Sequence, residues 1–415
     1  GVTDDLNDFY RFTLTTTSSV QIDLTNLGAD ADMQLIQDLN GNGLIEVGEI
    51  LAYPWQDGIK SETLTIGLTA GTYYIRVLPY SGNTTYTLSA SATTFSLPTA
   101  YNLNYGYGMV DAAAAVAQAI ARSPYPSVPD LGGNDWNLDA INAPEVWAAG
   151  YTGQGIVVAV IDTGVDYTHL DLDANIWVNT QEIAGNGIDD DGNGYIDDVR
   201  GWDFVDQDNN PMDLYGHGTH VAGTIAAENN GIGITGVAYN AKIMPVKVLG
   251  ADGNGTTPDV AAGIRYAADN GADVINLSLG GNFFSTDIAS AVEYATNRGA
   301  MVVMAAGNSA SFQPGFPANL ANQWGIAVGA VDNRNRVAPF SNGAGIPALN
   351  YVVAPGVGIY STIPGNTYRQ ANGTSMATPH VAGVVALMLS ANPTLTPAQI
   401  IPLLTSSANP NAIRV

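Results

Sequence analysis

Three short segments of this 415-residue chain hold the side chains best placed to do chemistry: VIDTGVD at 160–166, GHGTHVAG at 216–223 and GTSMATPH at 373–380. Each sets one member of an acid–base–nucleophile set in a glycine-rich turn beside an apolar run. Asp162 closes the run IVVAVID, where a carboxylate at the C-terminal end of a buried strand belongs. His217 stands between two glycines ahead of the helix-like stretch THVAGTIAA, and Ser375 opens the apolar stretch SMATPHVAGVVALML. A serine hydroxyl is a weak nucleophile until an imidazole accepts its proton. The imidazole serves best when a carboxylate fixes its tautomer. One such turn could arise in any α/β domain, with His217 a satisfied core histidine. Several that agree in order and context point to acyl-transfer chemistry instead.

The elements that must position these groups follow from periodicity. From Trp136 onward, apolar runs (IVVAVI, KIMPVKVL, DVINLSL, MVVMAA, IAVGAV) alternate with helix-like segments (THVAGTIAAE, TPDVAAGIRYAADN, DIASAVEYATNRG). Strands separated by helices of that length need crossover connections, so the expected fold is a doubly wound, mostly parallel α/β sheet covered by helices on both faces. Catalytic loops then belong at the carboxyl ends of the strands. Residues 1–97 read differently. Tyr10, Phe12 and Leu14, then Val20, Ile22 and Leu24, then Tyr73, Ile75 and Val77 alternate with polar residues, and the turn sequences TNLG, LNGNG, TAG and SGN separate the runs. That pattern predicts a small all-β sandwich. Residues 98–135 connect the two, with Pro- and Gly-rich stretches around an alanine-rich helix expected over 108–121.

On these residues the stretch from about 140 to 408 resembles the subtilisin-like serine protease (subtilase) family. Besides the three segments, VKVLGADGNGTTPDVAAGIRYAADNGADVINLSLGG and VVMAAGNSA are typical of it. The resemblance implies a serine endopeptidase with an Asp162–His217–Ser375 triad. It also implies an oxyanion role for Asn308, whose amide would face the developing alkoxide with the Ser375 backbone N–H. By the same resemblance, Gly253, Asn254 and Gly255 on one side and Ser278, Leu279 and Gly280 on the other form two edge strands that clasp an extended peptide. The pocket floor is expected near Phe312 and Gln313, where no carboxylate waits for a basic side chain. Residues 1–97 resemble the pre-peptidase C-terminal domain that accompanies many secreted bacterial proteases, here upstream rather than downstream. The family's usual closing stretch, of the form GYG-x-V-x-A-A-x-A-V, is missing after Ala408, and matching words occur at Gly106–Val116. The segment 104–121 is therefore expected to pack where the closing helix of the catalytic domain (136–415) would lie. The alternative is a linker helix between domains.

Calcium is expected at up to three places. In DDDGNGYIDD, Asp189, Asp191 and Asn193 occupy positions 1, 3 and 5 of an EF-hand-like loop. Gly194 takes the sharp turn, Tyr195 offers its carbonyl and Asp197 holds position 9, while Arg200 replaces the closing glutamate. In DLNGNGLIEVGE, Asp38, Asn40, Asn42, Leu44 and Glu49 take positions 1, 3, 5, 7 and 12, although an Asn-Gly hairpin would need no metal. The third place is implied by the family resemblance: Asp171 and Asn230 by side chain, Glu228, Ile232 and Ile234 by carbonyl, and Asp135 from the N-terminal side.

Composition narrows the partners. A formal net charge of −25 argues against nucleic acid or an anionic membrane surface and suits a chain that binds cations. There is no cysteine, hence neither disulfides nor thiol catalysis. VAGVVALML reads as a core helix rather than a membrane span. An opening at Gly1 without a leader reads as a processed product. The expectation is thus a secreted, monomeric, calcium-stabilised endopeptidase acting on proteins or peptides. The competing expectation is a latent or non-catalytic binding protein whose N-terminal region blocks the cleft or mediates adhesion.

Overall fold

The computed structural model describes residues 7–38, 49–52, 58–79, 84–94, 98, 100–281 and 283–414. The chain divides into two units, 1–99 with 345–347, and 100–344 with 348–415.

In the first unit, strands β1 (Asp8–Leu14), β2 (Ser18–Thr25), β3 (Ala31–Ile36), β4 (Ile50–Ala52), β5 (Glu62–Leu68), β6 (Gly71–Pro79) and β7 (Thr87–Thr94) form two antiparallel sheets. Their orders are β1-β6-β3-β4 and β5-β2-β7. Val20, Ile22 and Leu24 of one sheet and Met33, Leu35, Tyr73, Ile75 and Val77 of the other share one apolar core. The alternation holds on β2 and β6, but β3 is buried at all six positions, Asp32 and Gln34 included. A period-2 pattern cannot reveal a strand covered on both sides.

The second unit holds β8 (Val157–Asp162), β9 (Trp202–Asp203), β10 (Lys242–Lys247), β11 (Val274–Leu277), β12 (Met301–Ala305), β13 (Ile326–Val331) and β14 (Tyr351–Pro355). They make a seven-stranded sheet in the order β14-β13-β12-β11-β8-β10-β9. Every pairing in it is parallel. The strands are nearly continuous Val, Ile, Met and Ala because helices cover both faces. After β8 the chain builds outward to one side and then, from β11, to the other. The β8–β11 boundary is therefore the topological switch point, where ligands of such sheets bind. A hairpin, β15 (Ile359–Ile363) and β16 (Thr367–Ala371), follows.

The helices are α1 (Ala112–Ala119), α2 (Trp136–Asp139), α3 (Ala143–Ala148), α4 (His217–Ala226), α5 (Thr257–Asp269), α6 (Thr286–Asn297), α7 (Thr374–Ala391) and α8 (Pro397–Ser407). Although α7 is long and apolar enough to cross a membrane, 83% of it is buried inside the domain, as a central core helix requires.

The helix expected over 108–121 is shorter. It starts at Ala112, with Asp111 accepting the Ala114 N–H at its N-terminus. Residues 107–110 instead run along the sheet edge: Tyr107 N–H donates to Tyr351 O (3.0 Å), Val353 N–H to Gly108 O (2.9 Å) and Val110 N–H to Val353 O (2.9 Å). Gly106 and Gly108 have φ of +59° and +117° and touch Tyr351 and Pro410 so closely that a Cβ would overlap their backbones. The helix itself packs on α7 and α8. Asn392 Nδ2 donates to Ala119 O at 3.0 Å and Ser406 Oγ to Gln118 Oε1 at 3.1 Å.

Candidate active site

Asp162 stands at the carboxyl end of β8, fully buried, with Oδ1 2.7 Å from Nδ1 of His217. The same oxygen accepts the Thr163 N–H at 2.7 Å. An acceptor at Nδ1 requires that nitrogen to carry the proton, leaving Nε2 free to accept another. The His217 side chain is 23% exposed, so its outer edge opens to the cleft. Burial alone would disfavour the charged ring. The charge and hydrogen bond of Asp162, with the charge of Asp213, outweigh it and raise the imidazole above its ordinary pKa.

The turn that aims His217 is tightly specified. Gly216 has φ +99°, and a Cβ on Gly218 would lie 2.0 Å from Gly164 O, so the first turn of α4 lies flush against the loop after Asp162. Beneath it sits Asp213, 1% exposed. One of its oxygens accepts the Thr163 hydroxyl (2.9 Å) and the N–H groups of Tyr215 (2.9 Å) and Gly216 (2.7 Å). The other accepts the N–H (2.9 Å) and hydroxyl (2.6 Å) of Thr219. A buried carboxylate with five donors at a helix N-terminus is stabilised by hydrogen bonds and dipole together. The sequence signal for Asp213 is its spacing alone, four residues before His217 in DLYGHGTH.

Ser375 lies in the first turn of α7. Its hydroxyl donates to Ser278 O (3.0 Å), and Ser278 Oγ donates back to Ser375 O (2.9 Å). The Ser375 hydroxyl makes no hydrogen bond to His217, although both line one cleft. Such bonds often tighten only with substrate present. Asn308, just beyond β12, accepts the N–H (2.8 Å) and hydroxyl (3.0 Å) of Thr374 on its Oδ1. With the oxygen tethered, Nδ2 is the end of the amide left to turn towards the cleft.

The cleft, about 630 Å³, brings together His217, Ser375 and Asn308 with Gly253, Asn254, Gly255, Ser278, Leu279 and Gly280. Neither 253–255 nor 278–280 is a strand here: the first is a turn with Gly253 at φ +77°, and the second is the irregular continuation of β11. The loop SFQPGFP contributes Gly315, Phe316 and Pro317 to the wall rather than Phe312 and Gln313. Tyr215, which also lines the cleft, covers Gly253.

For cation sites the donors are mixed. Among the described residues, the acidic cluster whose ligand oxygens converge within 4.8 Å is Glu182, Asp189 and Asp191. Asp197, expected as a ligand, instead turns its carboxylate to the N–H groups of Asn186 (3.1 Å) and Gly187 (2.9 Å). Its φ is +54°. Glu182, seven residues before Asp189, joins the cluster instead, its carboxylate accepting the N–H groups of Asp190 (2.8 Å), Asp191 (3.2 Å) and Asp197 (3.0 Å). Asn193 donates to Asp191 (3.2 Å) and Asp198 (3.1 Å), and its Oδ1 accepts the Tyr195 N–H (2.8 Å). The Tyr195 ring packs on Trp202, Phe204 and Tyr266.

At the third place the loop 228–234 wraps Asp171, which is fully buried. Asp171 Oδ2 accepts the Ile234 N–H (3.0 Å) and the Tyr368 hydroxyl (3.2 Å), while Oδ1 is buried without a partner. Asn230 Oδ1 accepts the Ile232 N–H (3.0 Å), and the Glu228 carboxylate accepts the Ala174 N–H (2.8 Å). An orphaned buried carboxylate oxygen suits an oxygen-seeking cation. Asp135 lies at the head of α2, where burial and the charge of Asp139 raise its pKa. Asn40, Asn42 and Leu44 lie outside the described residues; Asp38 and Glu49, which flank them, are described.

Fold and cleft together define a class: a parallel α/β domain presenting an Asp–His pair and a serine at the carboxyl ends of its strands. Residues 153–414 match the subtilase family (peptidase S8), and the chain belongs to that family. Residues 6–79 match the bacterial pre-peptidase C-terminal domain. The chain is 45% identical to the alkaline elastase YaB of Bacillus sp. (strain YaB) over 266 residues, 64% of this chain and 62% of that protein. It is 49% identical to a thermophilic serine proteinase of Bacillus sp. (strain AK1) over 246 residues, 59% of this chain and 54% of that protein. The chain thus spans less than two thirds of the length of these curated relatives. A solved structure of a cold-adapted subtilisin-like serine proteinase superposes with a TM-score of 0.51 at 37% identity, covering 62% of this chain and 83% of the other.

Proposed function

We propose that the chain is a secreted serine endopeptidase that cleaves peptide bonds of protein or peptide substrates. The observation that carries this is the 2.7 Å contact between buried Asp162 and His217 Nδ1, at the mouth of a cleft that also holds Ser375 and Asn308. In this reading Asp162 holds the Nδ1–H tautomer. His217 Nε2 takes the Ser375 proton as the hydroxyl attacks the carbonyl, then returns it to the departing amine. Asn308 Nδ2 and the Ser375 N–H at the start of α7 stabilise the tetrahedral oxyanion. The segments 253–255 and 278–280 hold the acyl half of the peptide by main-chain hydrogen bonds.

Calcium fits two groups of residues. Asp171, with Asn230 and the carbonyls of Glu228, Ile232 and Ile234, would hold one ion at the orphaned oxygen. Glu182, Asp189 and Asp191 would hold another. When bound, such an ion neutralises the carboxylates and ties loops that no disulfide secures. The edge segment 107–110 pairs along β14 and α1 packs on α7, as a closing element for the sheet and that helix would.

Labelling with a serine-directed phosphonate, in parent and Ser375→Ala, tests the reading. Labelling confined to the parent is expected. No labelling with calcium present or absent would instead favour a latent protein.

A further inference from the structure

The proposed reaction has a leaving half as well as an acyl half, and the fold places a distinctive residue beside it. In the endopeptidase reading His217 returns its proton to the departing amine, so the leaving half lies on the His217 side of the scissile bond, the side bordered by the turn at Gly216. The residue that β16 presents there is Arg369. Its Nη2 lies 3.9 Å from the position a Cβ would take on Gly216, the residue before His217.

The backbone of Arg369 is held in place. It pairs with Ser361 across the hairpin. Its carbonyl faces His220 Nε2 at 3.2 Å, and Ile359 O faces the same nitrogen at 3.1 Å. A ring nitrogen between two carbonyls carries the proton. Burial lowers this histidine's pKa to about 4, so that contact persists as a neutral donor over the working range. His220 lies on α4 one turn beyond His217, which ties β16 to the helix that aims His217.

The guanidinium, by contrast, is exposed and has no hydrogen-bond or ion-pair partner among the described residues. The acids around it are engaged elsewhere. Asp213 is filled by five donors of its own loop, and Asp166 accepts from Thr168 and Gly365. Its charge is felt at His217, where it acts against protonation. With 13 basic against 38 acidic residues in the chain, an unpaired guanidinium beside the cleft is one of few groups that can attract an acidic side chain.

We propose that Arg369 is a specificity-determining residue that binds an acidic side chain on the leaving-group side of the scissile bond. The inference rests on the endopeptidase reading. Guanidinium–carboxylate pairing at an exposed rim is worth a modest factor, so a preference of about two- to fivefold is expected.

The test uses internally quenched peptides with one common acyl half and Glu, Gln or Lys at the first or second residue after the scissile bond. A p-nitroanilide with the same acyl half has no such residues and reports the acyl half alone. The parent is expected to rank Glu above Gln above Lys in kcat/KM at one or both positions, and the ranking should compress in 1 M salt. Normalised to the p-nitroanilide rate, Arg369→Gln should lose the Glu/Gln ratio and Arg369→Lys should keep part of it. Equal turnover of Glu and Gln peptides by a parent that cleaves the p-nitroanilide, or a ratio unchanged in Arg369→Gln, overturns the inference while leaving the endopeptidase reading intact. A parent that turns over none of the substrates overturns both.

Discussion

Asp162 and His217 are joined through one carboxylate oxygen, which meets His217 Nδ1 at 2.7 Å and the Thr163 N–H at 2.7 Å, while the second oxygen is buried without a partner. The arrangement commits the carboxylate to a single imidazole tautomer. Asp162→Asn should keep the packing but favour the wrong tautomer, lowering kcat by about 10⁴ on a p-nitroanilide substrate. A drop below tenfold would show that Asp162 does not set the tautomer.

The charge of Asp162 also governs the acid limb of the pH profile. Catalysis needs His217 neutral, and its pKa is raised, so activity is lost as pH falls through a value above the ordinary ~6.5. The acid-limb pKa of kcat/KM should lie above that value in the parent. It should fall in Asp213→Asn, which removes a second raising charge. An unchanged acid limb in that variant would exclude an electrostatic role for Asp213.

Asp213 should matter for stability as well. Asp213→Ala strands the amides of Tyr215, Gly216 and Thr219 and the hydroxyls of Thr163 and Thr219, all in or near a buried turn. A loss of about 2–4 kcal/mol is expected in denaturant unfolding, with Asp213→Asn milder because it retains an acceptor.

Asn308→Leu should lower kcat by about 10²–10³ with little change in KM, because the lost donor faces charge that develops only in the transition state. Equal loss in KM would place Asn308 in ground-state binding.

Excess chelator should lower the melting temperature. Calcium at a hundredfold above its Kd contributes about 2.7 kcal/mol per site, and about 1–2 °C accompanies each kcal/mol in a domain of roughly 300 residues. Asp171→Asn should remove the share of the chelator's effect that comes from its own site and leave the share from Glu182, Asp189 and Asp191; an unchanged melting temperature in the parent would defeat the calcium reading.

How far the sequence carried these assignments depended on whether each signal was local. Asp162, His217 and Ser375 were legible because each stands where a strand ends or a helix begins, and those boundaries are written in nearby glycines and apolar runs; Asn308 was singled out by the family resemblance. The doubly wound sheet was legible for the same reason, since strand–helix alternation is a property of consecutive residues. The all-buried β3 was not, because burial on both faces is set by neighbours distant in the chain.

The sequence by itself therefore determined the chemistry on offer and the class of fold, through residue types held in short, self-specifying turns. Only the tertiary structure decided what depends on convergence. Glu182 joined Asp189 and Asp191 in the acidic cluster in place of Asp197, and Gly315, Phe316 and Pro317 line the cleft wall rather than Phe312 and Gln313. It likewise placed 107–110 along β14 and brought Arg369 to Gly216. The physical reason is common to all of them: an ion ligand, a cleft wall or a charge beside an imidazole is defined by distance in space, and sequence spacing reports that distance only within a turn or a single element.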